Sequence, residues 1–316
     1  MIVSPITSML GIRYPLFQGG MAWIADGRLA AAVSEAGGLG IISAMNTGAD
    51  HLRKQIRIAR SLTDKPIGVN LMLMSPSADE MAEVIAEEKI SAVTTGAGSP
   101  AKYIPLWKAA GIRVIPVIAS VSYAKMMERA GADAVIAEGQ ESGGHIGELT
   151  TMALVPQVAD AVSVPVIAAG GIADGRGMAA AMMLGACGVQ MGTRFLAAEE
   201  CSVHRNYKEM LLSASDISTA VTGRRFGGNV CRGIKNPFTR KFAKAEYAPD
   251  ATAESIAELG LGALRRAAID GDKQNGSFLA GQIAGMVKRE MSAAAIVEEV
   301  VTECETILKG AAAWVK

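Results

Sequence analysis

Eight short apolar runs recur along the chain with helix-like segments between them, and this alternation restricts the fold more than any other feature. The runs cover residues 15–18, 39–44, 66–73, 92–95, 114–119, 134–137, 165–169 and 188–191. Several are continuously apolar, the pattern of parallel strands buried on both faces. The segments between them, 28–36, 50–61, 77–88, 103–110, 122–130, 151–161 and 175–184, carry charge on one side and Ala, Leu, Met or Val on the other. Such amphipathic helices suit the outside of a sheet. Gly111, Gly131 and Gly185 follow three of them, where a helix-ending glycine is expected. Eight β/α units predict an α/β fold of the closed (β/α)8 TIM barrel type over an open doubly wound sheet. A length of 316 residues is ordinary for one such barrel with an insertion.

Past the eighth run the pattern changes. From Arg224 to Ala245 there are seven basic residues and no acid. Residues 247–271 read as a linker and an amphipathic helix. Residues 276–285 space their glycines closely on what reads as a helix near the site. The tail, 292–315, reads as one more amphipathic helix. The expected organisation is a barrel over 1–204, a smaller cap or insertion over 205–291 that holds the basic segment, and a C-terminal helix over 292–316 that closes the barrel.

Composition narrows the function. Half the residues are hydrophobic, so a large core needs no staples. Lys and Arg number 31 and so do Asp and Glu, so nothing global suggests nucleic acid or an anionic membrane. Aromatics are 4%, too few for a base-stacking surface. Cys187, Cys201, Cys231 and Cys304 show no CxxC spacing, which argues against zinc or iron–sulfur sites and for reduced thiols in the cytoplasm. The first fifteen residues lack a basic segment followed by an apolar run, so no signal peptide is expected. The charge-free stretch 177–193 contains Gln190 and four glycines and reads as helix, turn and strand, not as a membrane span.

Chemistry is expected at the strand ends. The run 134–137 breaks into a polar loop holding Glu138, Gly139, Glu141, Gly143, Gly144, His145 and Gly147. Loops at the C-termini of buried parallel strands are held by a rigid sheet yet open to solvent. Of three histidines, His51 and His204 lie in polar, helical or helix-flanking surroundings. A histidine in a turn ordinarily does no more than satisfy hydrogen bonds. His145 differs because its glycine neighbours are poor packing partners and it follows a strand, which makes it the candidate catalytic residue. Gly170 and Gly171 end the seventh run, and Gln190, Gly192 and Thr193 lie at the end of the eighth. In barrels the loops after these strands commonly bind phosphate through backbone N–H groups, although a Gly-Gly pair can also be a mere tight turn. Gly19, Gly20 and Met21 end the first run, Asn70 interrupts an apolar strand and needs a partner, and Thr94 to Gly98 end the fourth. Together these place small or amide-bearing residues around one mouth, a setting for a flat heteroaromatic ring. No G-x-G-x-x-G follows a strand in a Rossmann context, no P-loop is present, and no lysine lies at a predicted strand end near these motifs. Glu138 and Glu141 sit three apart on one loop, where structural hydrogen bonding is a better account than a metal or glycosidase pair.

With these residues assembled, the chain resembles the FMN-dependent enoyl-acyl-carrier-protein reductases (FabK), within the larger nitronate monooxygenase (2-nitropropane dioxygenase) superfamily. The matching stretches run from Pro15 to Trp23, Gly37 to Gly40, Lys65 to Asn70, Thr94 to Gly98, Ala137 to Gly147, Ala168 to Asp174 and Val189 to Arg194, with Ile234 to Asn236 and Gly276 to Gln282 beyond them. Ile146, where the monooxygenases usually show arginine, tilts the likeness to the reductase; Ser142 stands where alanine is more usual. The resemblance implies FMN at the barrel mouth, its phosphate at Gly171, Gly192 and Thr193 and its ring at Gly20, Met21, Asn70 and Glu138, with Gly19, Gly144, Gly170 and Gln190 as further cofactor-binding residues. It implies NADH or NADPH as reductant, hydride delivery to a trans-2-enoyl thioester with His145 at the thioester carbonyl, and an acyl carrier protein as the partner that carries the substrate. A homodimer and a response to a monovalent cation are further expectations. A nitronate monooxygenase using His145 as a base, and a non-catalytic flavin- or phosphate-binding barrel, are the alternatives.

Overall fold

The computed structural model describes residues 2–44, 48–227 and 230–314. The strands are β1 (Leu16–Gln18), β2 (Gly40–Ser43), β3 (Ile67–Met72), β4 (Ala92–Gly96), β5 (Arg113–Ile118), β6 (Val135–Glu138), β7 (Gly144–His145), β8 (Val166–Ala169), β9 (Gly188–Met191), β10 (Thr219–Thr222) and β11 (Cys231–Ile234). Eight of them pair in parallel in the order β1-β9-β8-β6-β5-β4-β3-β2. A bridge between Phe17 and Leu39 joins the two ends and closes the TIM barrel. Gln18 reinforces this seam from a fully buried position. Its side chain accepts from the Ile41 N–H and donates to the Ile41 carbonyl, both at 3.2 Å. A buried amide satisfied on both sides adds specificity without an orphaned polar group.

Continuous runs of Val, Ile and Ala form these strands because both strand faces are covered. Phe17, Leu39, Ile41, Ile115, Ile136 and Ile167 form one buried cluster with Ile6, Leu10 and Ile12. The last three belong to the helix Pro5–Leu10 and the turn that follows, so the N-terminal segment joins the core inside the barrel. Each such side chain contributes about 1.5–3 kcal/mol by leaving water.

The helices Gly27–Glu35, Ala49–Leu62, Ala78–Glu87, Ile104–Ala109, Val121–Ala130, Thr151–Ala159 and Gly175–Met183 surround the sheet. The eighth helical place is taken by Ala293–Gly310, which packs between Gly175–Met183 and Gly27–Glu35. Ile296, Val297, Val300, Val301 and Cys304 are its buried stripe, and the Glu303 carboxylate accepts from the Gly175 N–H at 2.8 Å. A short 3-10 helix, Ala311–Trp314, follows, and Val315 lies outside the described residues.

Between β9 and this last helix the chain builds a cap of helices and a second sheet, ordered β10-β11-β7 and antiparallel. Because β7 comes from the loop after β6, this sheet crosses the division drawn from sequence at residue 204. In residues 247–271 the helix Ala253–Gly260 is followed by a short turn Ala263–Arg265. The expected helix over 276–285 is not there. Leu279 is extended and bridges Gly233, and only Gln282–Met286 coil, as a 3-10 turn. Glycines at 276, 281 and 285 each weaken a helix by about 1 kcal/mol. Tertiary partners take the backbone donors instead: Gly281 N–H reaches Thr193 Oγ1 at 2.9 Å and Gln282 N–H reaches the Glu141 carbonyl at 2.8 Å.

Candidate active site at the barrel mouth

A cavity of about 490 Å3 opens at the C-terminal ends of the barrel strands, a size common for small-molecule sites. β1 brings Gly19, Gly20 and Met21 to it, and β3 brings Asn70. β6 brings Glu138, with Gly144 and His145 beyond it. β8 ends in Gly170 and Gly171, and β9 brings Gln190, Gly192 and Thr193. His145 and the candidate cofactor residues thus line one cavity, as do Gly96, Ala97 and Gly98 at the end of β4, whereas Thr94 and Thr95 are buried within that strand. The cap adds Leu264, Leu279, Gly281 and Ile283, and β5 adds Val117 and Ile118. Leu279, Gly281 and Ile283 belong to the segment 276–285 expected near the site, whereas nothing in the sequence points to Leu264, which reaches the mouth through tertiary packing.

Asn70, half-buried in an apolar strand, has a partner: its Oδ1 accepts from Thr94 Oγ1 at 2.9 Å across the β3–β4 ladder. The Gly20 backbone lies on this asparagine. A Cβ at Gly20 would stand 2.2 Å from Asn70 Cβ, so only glycine fits. The floor on this side is therefore flat backbone next to an amide.

Glu138 faces the cavity at the end of β6 and accepts from Ser142 Oγ at 3.0 Å. Burial raises its carboxyl from the ordinary 4.5 to about 7, and the Ser142 bond offsets this only in part. Glu141 also lines the cavity, but both its oxygens accept from the Thr151 N–H, at 3.0 and 2.9 Å. The two carboxylates thus serve separate hydrogen bonds. Among the described residues no group of three or more His, Cys, Asp or Glu side chains could hold a metal ion.

His145 is exposed at the cavity and sits in β7, directly opposite Cys231 of β11. Burial pushes the Cys231 thiol up to about 12, so it stands beside the histidine as a neutral group. The neighbouring pair is Gly144 with Arg232. The buried Arg232 guanidinium donates from Nε to the Gln140 carbonyl at 3.0 Å and from an Nη to Thr219 Oγ1 at 3.3 Å. It ties the histidine loop to the cap.

The seven-cation segment is therefore not one patch. Arg232 is internal, Arg225 donates to the carbonyls of Glu246 and Ala248, and Lys235 to that of Ile217. Arg240, Lys241 and Lys244 are exposed on the helix Pro237–Glu246. No helix among the described residues is long and apolar enough to cross a membrane.

A family model described as nitronate monooxygenase matches residues 3–88 and 78–303. The solved structure of FabK from Thermotoga maritima superimposes with a TM-score of 0.96 at 50% identity, covering 100% of both chains. A Mycobacterium tuberculosis protein named (3aS,4S,5R,7aS)-5-hydroxy-7a-methyl-1-oxo-octahydro-1H-indene-4-carboxyl-CoA dehydrogenase is 33% identical, over 99% of each chain. A probable nitronate monooxygenase of Staphylococcus saprophyticus is 35% identical, over 96% of this chain and 98% of its own.

Proposed function

The chain belongs to the nitronate monooxygenase family, and on that premise we propose that it is an FMN-dependent trans-2-enoyl-acyl-carrier-protein reductase of type II fatty acid synthesis. The observation that carries this reading is the placing of His145 on a cap ribbon at the rim of a cavity floored by glycine-rich strand ends. The likeness to FabK over the whole chain supports it.

The cavity fits FMN by its donor set. Gly171, Gly192 and Thr193 would hold the phosphate through backbone N–H groups and a hydroxyl. The flat surface made by Gly20, with Met21, Asn70, Glu138 and Gln190 around it, would receive the ring. When bound, FMN supplies the hydride carrier between NADH or NADPH and the β-carbon of the enoyl thioester. His145 would donate a hydrogen bond to the thioester carbonyl oxygen, where negative charge builds as the β-carbon is reduced. The apolar Val117, Ile118, Leu264 and Leu279 would keep water from that oxygen and strengthen the bond. The cations exposed on the helix Pro237–Glu246 would receive the acidic carrier protein. A second reading, oxidation of alkyl nitronates with His145 as base, is favoured by the family model's own description and by the Staphylococcus saprophyticus relative.

One experiment tests both. Purified protein is reduced anaerobically with NADH, and crotonyl-CoA or a nitroalkane is then added. Flavin reduction by NADH followed by reoxidation with the enoyl thioester is expected. Turnover of a nitroalkane with oxygen and none of the enoyl thioester would exclude the reductase. A colourless protein that takes up no FMN would exclude both.

A further inference from the structure

We propose that Thr151 is a positioning residue for the anion-binding end of the cavity, holding the Gly170–Gly171 turn so that its N–H groups face inward. The proposal rests on the FMN reading. Thr151 is buried at the start of the helix Thr151–Ala159 and lies behind the turn, outside the cavity lining. Its Oγ1 is 2.9 Å from the Gly170 carbonyl oxygen and 3.2 Å from that of Ala169. Its N–H is gripped by both oxygens of Glu141, whose Oε2 is also 3.1 Å from Oγ1.

The geometry of the peptide unit gives these contacts their meaning. In a planar trans peptide the C=O and the following N–H point in opposite directions. A hydroxyl that holds the Gly170 carbonyl behind the turn aims the Gly171 N–H forward, and the Ala169 carbonyl fixes the Gly170 N–H in the same way. The Ala169 carbonyl is also held by the Gly139 N–H at 2.9 Å. Gly170 and Gly171 have φ of 87° and 75°, and both line the cavity. Successive N–H groups in such a turn form a concave nest for an anion. Glycine reaches that conformation freely, and for the same reason it leaves it freely. A Gly-Gly nest therefore needs an outside group to fix its peptide planes, and the Thr151 hydroxyl is placed to do so. The hydroxyl has a single proton, and the Gly170 carbonyl, at the shortest of the three distances, is its main acceptor.

FMN and riboflavin share the ring and differ by the phosphate, so their affinities isolate the nest. Apoprotein is titrated with each, read by quenching of flavin fluorescence. Thr151→Val should weaken FMN about tenfold, roughly the worth of one hydrogen bond, and leave riboflavin unchanged. Thr151→Ser should restore the wild-type FMN-to-riboflavin ratio. Thr151→Cys, with a weak donor of similar size, reads the same ratio should the valine variant not fold. An unchanged ratio in the valine or cysteine variant, or an equal loss of both ligands, overturns the proposal. Wild-type protein that binds neither flavin would overturn the FMN reading instead, a result distinct from an unchanged ratio.

Discussion

His145 and Cys231 face each other in the antiparallel ladder between β7 and β11. This histidine at the barrel mouth is therefore held from two sides, by the loop that leaves β6 and by a ribbon of the cap. Antiparallel pairing fixes its direction more firmly than a free loop could.

His145→Ala should keep FMN and lose enoyl reduction. Loss of one donor to a developing oxyanion typically costs about a hundred- to a thousandfold in turnover. Flavin reduction by NADH builds no enolate and should change little. Stopped-flow measurement of the two half-reactions separates them; equal losses in both would remove the histidine from the thioester carbonyl.

The contact of Gly20 with Asn70 predicts a steric effect. Gly20→Ala places a Cβ 2.2 Å from Asn70 Cβ, and overpacking of this kind costs about 1–3 kcal/mol. The melting temperature should fall by several degrees and FMN affinity with it, because the displaced backbone is the cavity floor. A Gly20→Ala protein that melts like wild type would show that this floor can shift freely.

Glu138 predicts a pH dependence. Its carboxyl is raised from 4.5 to about 7 in the folded protein, so between these values the folded state binds more protons than the unfolded state. Stability from this group is complete below pH 4.5 and is lost as pH rises to about 7. The loss is at most about 3 kcal/mol, and less where cavity water screens the charge. Glu138→Gln removes it. In urea unfolding of the apoprotein, the variant should therefore gain on wild type between about pH 5 and pH 7.5. A stability difference that stays constant across this range would contradict the raised carboxyl.

The exposed cations of the helix Pro237–Glu246 predict a choice between substrates. Rim charges act mainly on association rate and its salt dependence. Arg240→Glu together with Lys241→Glu should lower kcat/KM for the carrier-protein substrate far more than for its CoA analogue. Added salt should do the same, since the Debye length falls from about 10 Å at 0.1 M to about 3 Å at 1 M. Equal effects on both substrates would place the dock elsewhere.

The barrel was legible in the sequence because its cause is local and repeated. The runs, from Leu16 to Gln18 and onward to Gly188 to Met191, are mostly apolar, because a strand buried on both faces admits few polar residues such as Gln18, Asn70 and Gln190. The glycine-rich strand ends were legible for a similar reason, since backbone that must meet a ligand closely excludes side chains. The segment 276–285 went the other way. It reads as a helix with closely spaced glycines, but Thr193 and Glu141, both more than 85 residues away in the chain, take its backbone donors and hold it extended or in a 3-10 turn. The basic run likewise read as one feature, yet Arg232 is buried under the cap while Arg240 is exposed, because β11 and the helix after it present their residues to different neighbours. Sequence alone determined the barrel, the strand ends that meet at its mouth and the histidine among them. Only the tertiary structure decided that β11 reaches back to pair with His145, that Thr151 stands behind the Gly170–Gly171 turn, and that Glu138 is buried enough to raise its carboxyl. Those depend on which distant backbone groups and charges share a low-dielectric space, and no spacing along the chain records that.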